Sequence, residues 1–155
     1  MLRHAVAALA YRGGKAIRGV PENFSSFRAA EGTQVGTRTP GQILAHIGDL
    51  LDWALKLADG RMEWREMPPQ TWEQDSDRFF AALEALDARL ASHEPGFAPE
   101  KLFQAPVADA LTHVGQISLL RRMAGAPVRG ENYFRAEITA GRVGAQQAPP
   151  AFEFD

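Results

Sequence analysis

Two helix-start signals of the same design, each followed by a long stretch with helical apolar spacing, constrain the fold of this chain most strongly. Residues 39–42 read Thr-Pro-Gly-Gln, and residues 71–74 read Thr-Trp-Glu-Gln. A threonine three residues before a glutamine forms a capping box, in which each side chain hydrogen-bonds the backbone amide of the other residue. Proline also suits the first position of a helix. The two signals therefore predict two long helices, one ending at Gly60 and the other stopped by Pro95.

Two further segments have apolar side chains at helical spacing. We predict a first helix over residues 2–17 and a last one over residues 106–124, the latter preceded by a short turn at residues 99–103. No segment shows the alternation of apolar and polar residues that is typical of a half-buried strand. The chain, residues 1–155, is therefore predicted to be a single all-α domain, an up-and-down four-helix bundle. Its first connection, residues 19–38, is long for a compact domain.

The two ends of the chain carry weaker signals. Residues 1–21 contain basic residues and no acid, but their apolar run is short and is followed by Arg12. We interpret this segment as a helix with a basic outer face rather than a secretory signal. After the fourth helix we predict a minor helix over residues 131–140. The tail, residues 141–155, is rich in Gly, Gln and Pro and is predicted to be irregular and to lie over the surface.

Composition excludes several classes of function. A length of 155 residues with 45% hydrophobic and 23% charged residues is ordinary for one globular domain. The formal net charge of −2 gives no reason to expect nucleic acid or a membrane surface as a partner. The sequence has no cysteine, which excludes disulfides, thiolate metal ligands and a cysteine nucleophile. No apolar run approaches the roughly 20 residues of a membrane span, and we expect a cytoplasmic protein.

Residues 109–116 hold the strongest candidate site. Asp109, His113 and Gln116 share one helix face, and the apolar stripe that includes position 113 points His113 towards the core. His46 lies in the second predicted helix, among apolar residues. A carboxylate and an imidazole four residues apart can hold one ion, and His46 would add a third ligand from across the bundle. The alternative is a metal-free polar cluster in which Asp109 and His113 hydrogen-bond or ion-pair with each other and with Gln116.

These residues also carry a resemblance to a known family. Residues 44–50 place His46 in the first half of the second helix, and residues 111–117 contain His-Val-Gly-Gln on the last helix. The arrangement resembles the DinB-like (YfiT-like) superfamily of four-helix bundles, over nearly the whole chain. The resemblance implies a divalent metal, commonly zinc or nickel, held by three histidines. Carried over here, the ligands are His46, His113 and position 109, which is Asp109 in this chain.

The resemblance also implies a function. Some members are thiol-dependent S-transferases, so we expect either that activity or a hydrolase-like, metal-dependent activity on a small molecule. Two histidines and a carboxylate also suit iron or manganese. The alternative function is a non-enzymatic, metal-free bundle that binds a ligand or forms a dimer. The expected partners are a small molecule or a low-molecular-weight thiol, and a second copy of the chain.

Side chains around the predicted ligands have expected roles as well. Gln116 is expected to orient a ligand or substrate, and Asp49, three residues after His46, to accept a hydrogen bond from the His46 imidazole. Asn132 and Tyr133 follow the last helix closely and are expected to contact a ligand at the mouth of the site. Trp53 and Trp72 are expected to pack in the core or at its rim, or else to line a pocket. Three more residues are expected to lie at the surface: His4, His93 and Asp75.

Overall fold

The computed structural model describes residues 1–29 and 37–154. Its helices are α1 (Leu2–Ile17), α2 (Pro40–Ala58), α3 (Trp72–Ser92), α4 (Pro99–Leu102) and α5 (Ala108–Met123). A 3₁₀ turn (Phe24–Ser26) follows α1, and a π-helical turn (Phe103–Val107) joins α4 to α5. Two short strands, β1 (Gly130–Glu131) and β2 (Glu153–Phe154), pair antiparallel. The described chain is therefore mainly helical, as the sequence predicted. The small sheet was not predicted.

Both predicted capping boxes are confirmed. The Thr39 hydroxyl accepts from the backbone N–H of Gln42, whose side chain accepts from the Thr39 amide in return. Thr71 and Gln74 make the same pair of bonds at the start of α3. The predicted stop of α2 is also confirmed, because Gly60 follows the helix with a positive φ of 77°, a conformation that favours glycine.

The long helices enclose one apolar core. Helices α1 and α2 each pack against both α3 and α5. The largest fully buried side chains come from all of these helices: Leu9, Leu44, Ile47, Leu51, Phe79, Leu83, Leu86 and Ile117. Gly13 and Gly14 of α1 face the rings of Phe79 and Phe80, and the missing Cβ atoms let these rings approach. No helix in the described part of the chain is long and apolar enough to cross a membrane.

The entry into the last long helix differs from the prediction at residues 99–107. The predicted turn is the short helix α4, and the predicted start at Pro106 falls inside the π-helical turn, so that α5 begins at Ala108. Proline has no N–H to donate and its ring clashes with the carbonyl four residues earlier. A widened turn accommodates both effects without ending the helical path.

The prediction of a minor helix over residues 131–140 was wrong, and the tail is not wholly irregular. Residues 133–135 form a turn, residues 137–139 have no regular structure, and Glu131 pairs with Glu153 in the small sheet. The Glu131 side chain is fully buried and accepts hydrogen bonds from Tyr11 (2.7 Å) and Lys15 (2.7 Å) of α1. These bonds hold the segment after α5 extended against α1. Lys15 also bridges to Glu153 at 2.7 Å, so both strands are tied to that helix.

The predicted long first connection is described in part. Phe24 is buried and its ring packs against Phe27 and Trp72, with centroids 6.2 Å and 5.3 Å away. Trp72 also donates its indole N–H to the carbonyl of Ile17 at 3.0 Å. This first part of the connection is therefore fastened to α3, and it also packs against α2. The middle of the predicted connection, residues 30–36, lies outside the described residues.

Candidate metal centre

Helices α2 and α5 bring three potential metal ligands together at one point. His46 comes from α2, and Asp109 and His113 come from successive turns of α5. One ligand atom from each of the three side chains lies within 4.8 Å of the other two. The imidazole rings of His46 and His113 are 4.9 Å apart between centroids and nearly perpendicular, at 85°. The three residues that the sequence selected as metal ligands therefore meet.

The spacing between Asp109 and His113 suits either an ion pair or a shared metal ion. Nε2 of His113 lies 3.6 Å from Oδ1 of Asp109. That separation is too long for an N–H···O hydrogen bond. It is close to the roughly 3.3 Å that separates two ligands of a tetrahedral zinc ion with bonds of about 2.0–2.1 Å.

Gln116 sets the tautomer of His113. Nδ1 of His113 lies 2.9 Å from the side-chain oxygen of Gln116 and donates to it. The neutral ring then carries its lone pair on Nε2, the nitrogen that faces Asp109. A ring held by a hydrogen bond at its far nitrogen is the arrangement that metal-bound histidines usually show. Gln116 therefore has the position expected of it, acting on the ligand His113.

His46 is held in the protonation state that metal binding requires. Burial lowers the pKa of His46, and the nearby charges of Arg38 and His113 lower it further. The neutral imidazole, with one lone pair free, is the form that binds metal ions. His46 is half-buried and its surroundings therefore favour the ligating form at neutral pH.

The cluster lies at the edge of the apolar core rather than inside it, which corrects the sequence-based prediction of a site in the bundle core. The inward face of α5 is centred on Ala110, Val114 and Ile117. His113 stands one residue, or about 100°, away from Val114 and has a side chain 12% exposed, while that of Asp109 is 48% exposed. The predicted apolar stripe, which included His113, is therefore rotated by part of a helical turn from the buried face of α5. The exposed edge leaves the three ligands reachable from solvent.

Aromatic rings form one wall of the site. The indole of Trp64 packs edge-on against the His46 ring with centroids 5.8 Å apart, and Trp53 packs against Trp64 at 5.6 Å. Trp64 lies in the irregular connection between α2 and α3 and is 44% exposed. The sequence prediction missed Trp64, and gave Trp53 a packing role that this contact supports. The two tryptophans give this side of His46 an aromatic surface.

Three residues predicted near the ligands are placed elsewhere. Asp49 does not bond to His46; its Oδ1 accepts from Arg78 at 2.7 Å and from the Met67 amide at 3.2 Å. Tyr133 packs edge-on against Tyr11, and its face receives the Arg12 guanidinium at 4.5 Å. Asn132 is exposed, and its side-chain oxygen accepts from the Phe134 amide.

Tyr133 is separated from the candidate ligands by α5 itself. It shares a cavity with Val114 and Ser118, which lie on a face of the helix different from that of Asp109 and His113. The segment after α5 therefore does not reach back over the site. Its contacts with α1, described above, hold it on the other side of the helix.

Two open grooves border the cluster, one at Asp109 and the other at His113. One, of about 370 Å³, runs along α5 from Asp109 towards Trp53. The other, of about 530 Å³, extends from His113 and Gln116 between α5 and the start of α2, where Arg38 lies. An ion bound by the three side chains would therefore be open to small molecules from two sides.

The donor set fits a divalent transition metal. Two neutral imidazoles and one carboxylate suit zinc, nickel, iron and manganese, and the three ligand atoms are close enough to share an ion. No protein-family model, no curated protein and no solved structure matches this chain. The function is therefore argued from the site alone.

Proposed function

We propose that this protein binds one divalent metal ion through His46, Asp109 and His113 and acts as a metal-dependent enzyme on a small molecule, as a transferase or a hydrolase. The observation that carries the proposal is the approach of all three ligand atoms to within 4.8 Å of one another. The hydrogen bond from His113 to Gln116 supports it, because it aims the lone pair of His113 at the shared point.

Each residue has a defined part in this proposal. His46 and His113 supply neutral nitrogen ligands, and Asp109 supplies an oxygen ligand with one negative charge. Gln116 positions His113, and the Trp53–Trp64 pair gives one side of His46 an aromatic surface. A divalent ion in this set would polarise a substrate oxygen and lower the pKa of a water or thiol in its open position.

We further propose that the chain is DinB-like. Support comes from the order of the helices and from the positions of the two histidines, one in the first half of α2 and one in a His-Val-Gly-Gln stretch of α5. Asp109, where the resemblance implies a histidine, brings a negative charge to the site. Because carboxylate oxygen is a harder ligand than imidazole, this exchange widens the choice of metal towards iron and manganese.

Metal content tests the proposal. Protein purified without a nickel column should carry close to one zinc, nickel, iron or manganese ion per chain, measured by elemental analysis. His113→Ala should remove most of that metal. His93→Ala should retain it, because His93 is exposed at the end of α3 and its ring contacts Ser92. A protein that neither retains nor takes up any of the four ions would instead support the metal-free polar cluster.

The class of reaction can be tested on the loaded protein. Substitution with Co²⁺ reports thiol binding, because a thiolate ligand adds an intense near-ultraviolet absorption. Absorption that appears with a small thiol and is lost in His113→Ala favours a thiol-dependent transferase. Hydrolysis of an activated ester or amide without any thiol, lost in the same variant, favours a hydrolase.

A further inference from the structure

Arg38 is a charged residue of the site that the sequence prediction did not single out. It directly precedes Thr39, the N-cap of α2, and lines the groove that also contains His113 and Gln116. The capping box fixes the backbone at Thr39, so Arg38 stands at a defined place beside the candidate metal ligands.

The Arg38 guanidinium has no carboxylate partner among residues 1–29 and 37–154. Other arginines near the core are engaged: Arg78 bridges to Asp49 and Asp52, and Arg89 to Asp59. Asp109, the acidic side chain of the site, lies 3.6 Å from His113 and belongs to the ligand cluster of the proposed function. Among the described residues, Arg38 is therefore a positive charge in the groove without a carboxylate partner.

The charge of the whole site is positive once an ion is bound. A divalent ion held by two neutral histidines and one carboxylate keeps one positive charge, and Arg38 adds another. A low-dielectric wall strengthens the field of such charges in a groove. The wall here includes buried Ile43, partly buried Leu120 and exposed Leu119. A planar guanidinium binds carboxylate and phosphate groups through paired hydrogen bonds.

We propose that the site takes a small substrate with two functional ends, one that ligates the metal and one oxyanion, a carboxylate or a phosphate, that pairs with Arg38. The carbon chain between them lies against Leu119 and Leu120. This inference rests on the proposed metal site, and it names the class of substrate that this site selects. Arg38 is a binding residue in this account and takes no part in holding the metal.

Binding of matched hydroxamates to Co²⁺-loaded protein tests the proposal. The hydroxamate end ligates the ion and changes the visible spectrum of cobalt. The carboxylate probes are the monohydroxamates of malonic, succinic and glutaric acid, each paired with its neutral methyl ester. A second series replaces the carboxylate with a phosphonate at each of the three chain lengths. The best-fitting anionic probe should bind about tenfold more tightly than its neutral partner, as expected for one charge-assisted pair.

Variants at Arg38 test whether the preference for the anionic probe depends on the Arg38 guanidinium. Arg38→Gln should bring the anionic and neutral probes to within about twofold of each other, and Arg38→Lys should keep part of the difference, because only the paired geometry is lost. Arg122→Gln is the matched control, since Arg122 is exposed on α5 and does not line the groove. It should leave the preference unchanged. The carboxylate and phosphonate arms distinguish the two oxyanions, and either preference supports the proposal if it depends on Arg38.

Failure of this inference is distinguishable from failure of the metal site. If Co²⁺ does not bind, no spectrum appears and the proposed function itself is contradicted. If Co²⁺ binds but anionic and neutral probes bind alike, Arg38 does not select an oxyanion and the inference is overturned. A preference for anions that survives in Arg38→Gln overturns it too, because the distal group would then be ligating the ion. Arg38→Gln should still bind Co²⁺, because Arg38 supplies no ligand atom.

Discussion

The side-chain oxygen of Gln116 lies 2.9 Å from Nδ1 of His113, one helical turn away, and accepts its proton. This contact leaves the lone pair of His113 on Nε2, the nitrogen 3.6 Å from Asp109. Gln116, which is not one of the three candidate ligands, thereby decides which nitrogen is free to ligate. The contact also explains why an exposed glutamine stands in this position.

Gln116→Ala should weaken metal binding while leaving all three ligands in place. Loss of the partner to Nδ1 frees the tautomer and the ring orientation, and such changes typically cost about 10–100-fold in affinity. Gln116→Glu should keep or increase the affinity, since a carboxylate also accepts from Nδ1. Zinc competition against a chromophoric chelator measures both variants. Equal affinities for wild type and Gln116→Ala would show that the hydrogen bond does not serve the metal.

Arg121 should be a major contributor to stability, although it lies outside the site. Its side chain is buried and donates to five backbone carbonyls: Lys15, Ala16, Arg18, Gly19 and Ala126. Four of these lie at the end of α1, where carbonyls lack helical partners. Arg121→Met should lower the free energy of unfolding by about 2–4 kcal/mol, because buried acceptors then lose their donors.

The neighbouring arginine provides the control for this change. Arg122 is exposed, so Arg122→Met should change stability by no more than about 0.5 kcal/mol. Urea unfolding followed by circular dichroism measures both variants. Equal effects of the two substitutions would contradict the role given to Arg121.

Two glycines should respond in opposite directions to alanine. A Cβ at Gly13 would press into the ring of Phe79, whereas a Cβ at Gly115 meets nothing within 4 Å. Gly13→Ala should therefore destabilise the fold by about 1–3 kcal/mol through overpacking, despite the better helix propensity of alanine. Gly115→Ala should stabilise it by about 0.5–1 kcal/mol. Thermal unfolding measures the change in stability of both variants. A gain in stability from Gly13→Ala would show that the Phe79 ring moves to accommodate the added methyl group.

Asp75 should give the stability a recognisable dependence on pH. Burial raises the pKa of Asp75 in the folded state, and its Oδ1 has no hydrogen-bond partner among the described residues. A raised folded pKa favours the protonated form, so its stabilisation is present below the unfolded pKa and is lost as pH rises through the folded pKa. The stability of wild type relative to Asp75→Asn should therefore fall between acidic and neutral pH.

Denaturant unfolding of both proteins across that pH range measures this difference. The amide introduced by Asp75→Asn cannot ionise. The pH dependence of this variant's free energy of unfolding therefore comes from all the other titratable groups. A difference that stays constant with pH would contradict the shifted pKa of Asp75.

The sequence predicted the long helices and the three candidate ligands because both depend on regular spacing. The capping boxes at Thr39 and Thr71 are local, and their hydrogen bonds form within four residues. The pair Asp109 and His113 needs only the pitch of a helix to share a face. His46 was found because a histidine within an apolar helical stripe is conspicuous.

Irregular segments and buried ion pairs escaped the sequence prediction for physical reasons. Trp64 and Arg38 lie outside the helices, in backbone that has no periodicity to fix the direction of a side chain. Asp49 was expected to lie beside His46, and Asp75 was expected to lie in solvent. Both side chains are buried. Asp49 is satisfied by Arg78, whose position depends on how α2 and α3 pack. The two-residue strands are too short to show any alternation.

Thermal unfolding shows whether His46, Asp109 and His113 bind one divalent ion in the folded state. Metal-free protein is unfolded with and without added Zn²⁺, Ni²⁺, Fe²⁺ or Mn²⁺. At about 100 times the dissociation constant, an ion that binds only the folded chain stabilises it by roughly 2.7 kcal/mol. For a chain of this size the melting temperature should rise by several degrees. The rise should be lost in His46→Ala and His113→Ala and retained in His93→Ala. A melting temperature that none of the four ions changes in the wild-type protein would contradict metal binding by these three residues.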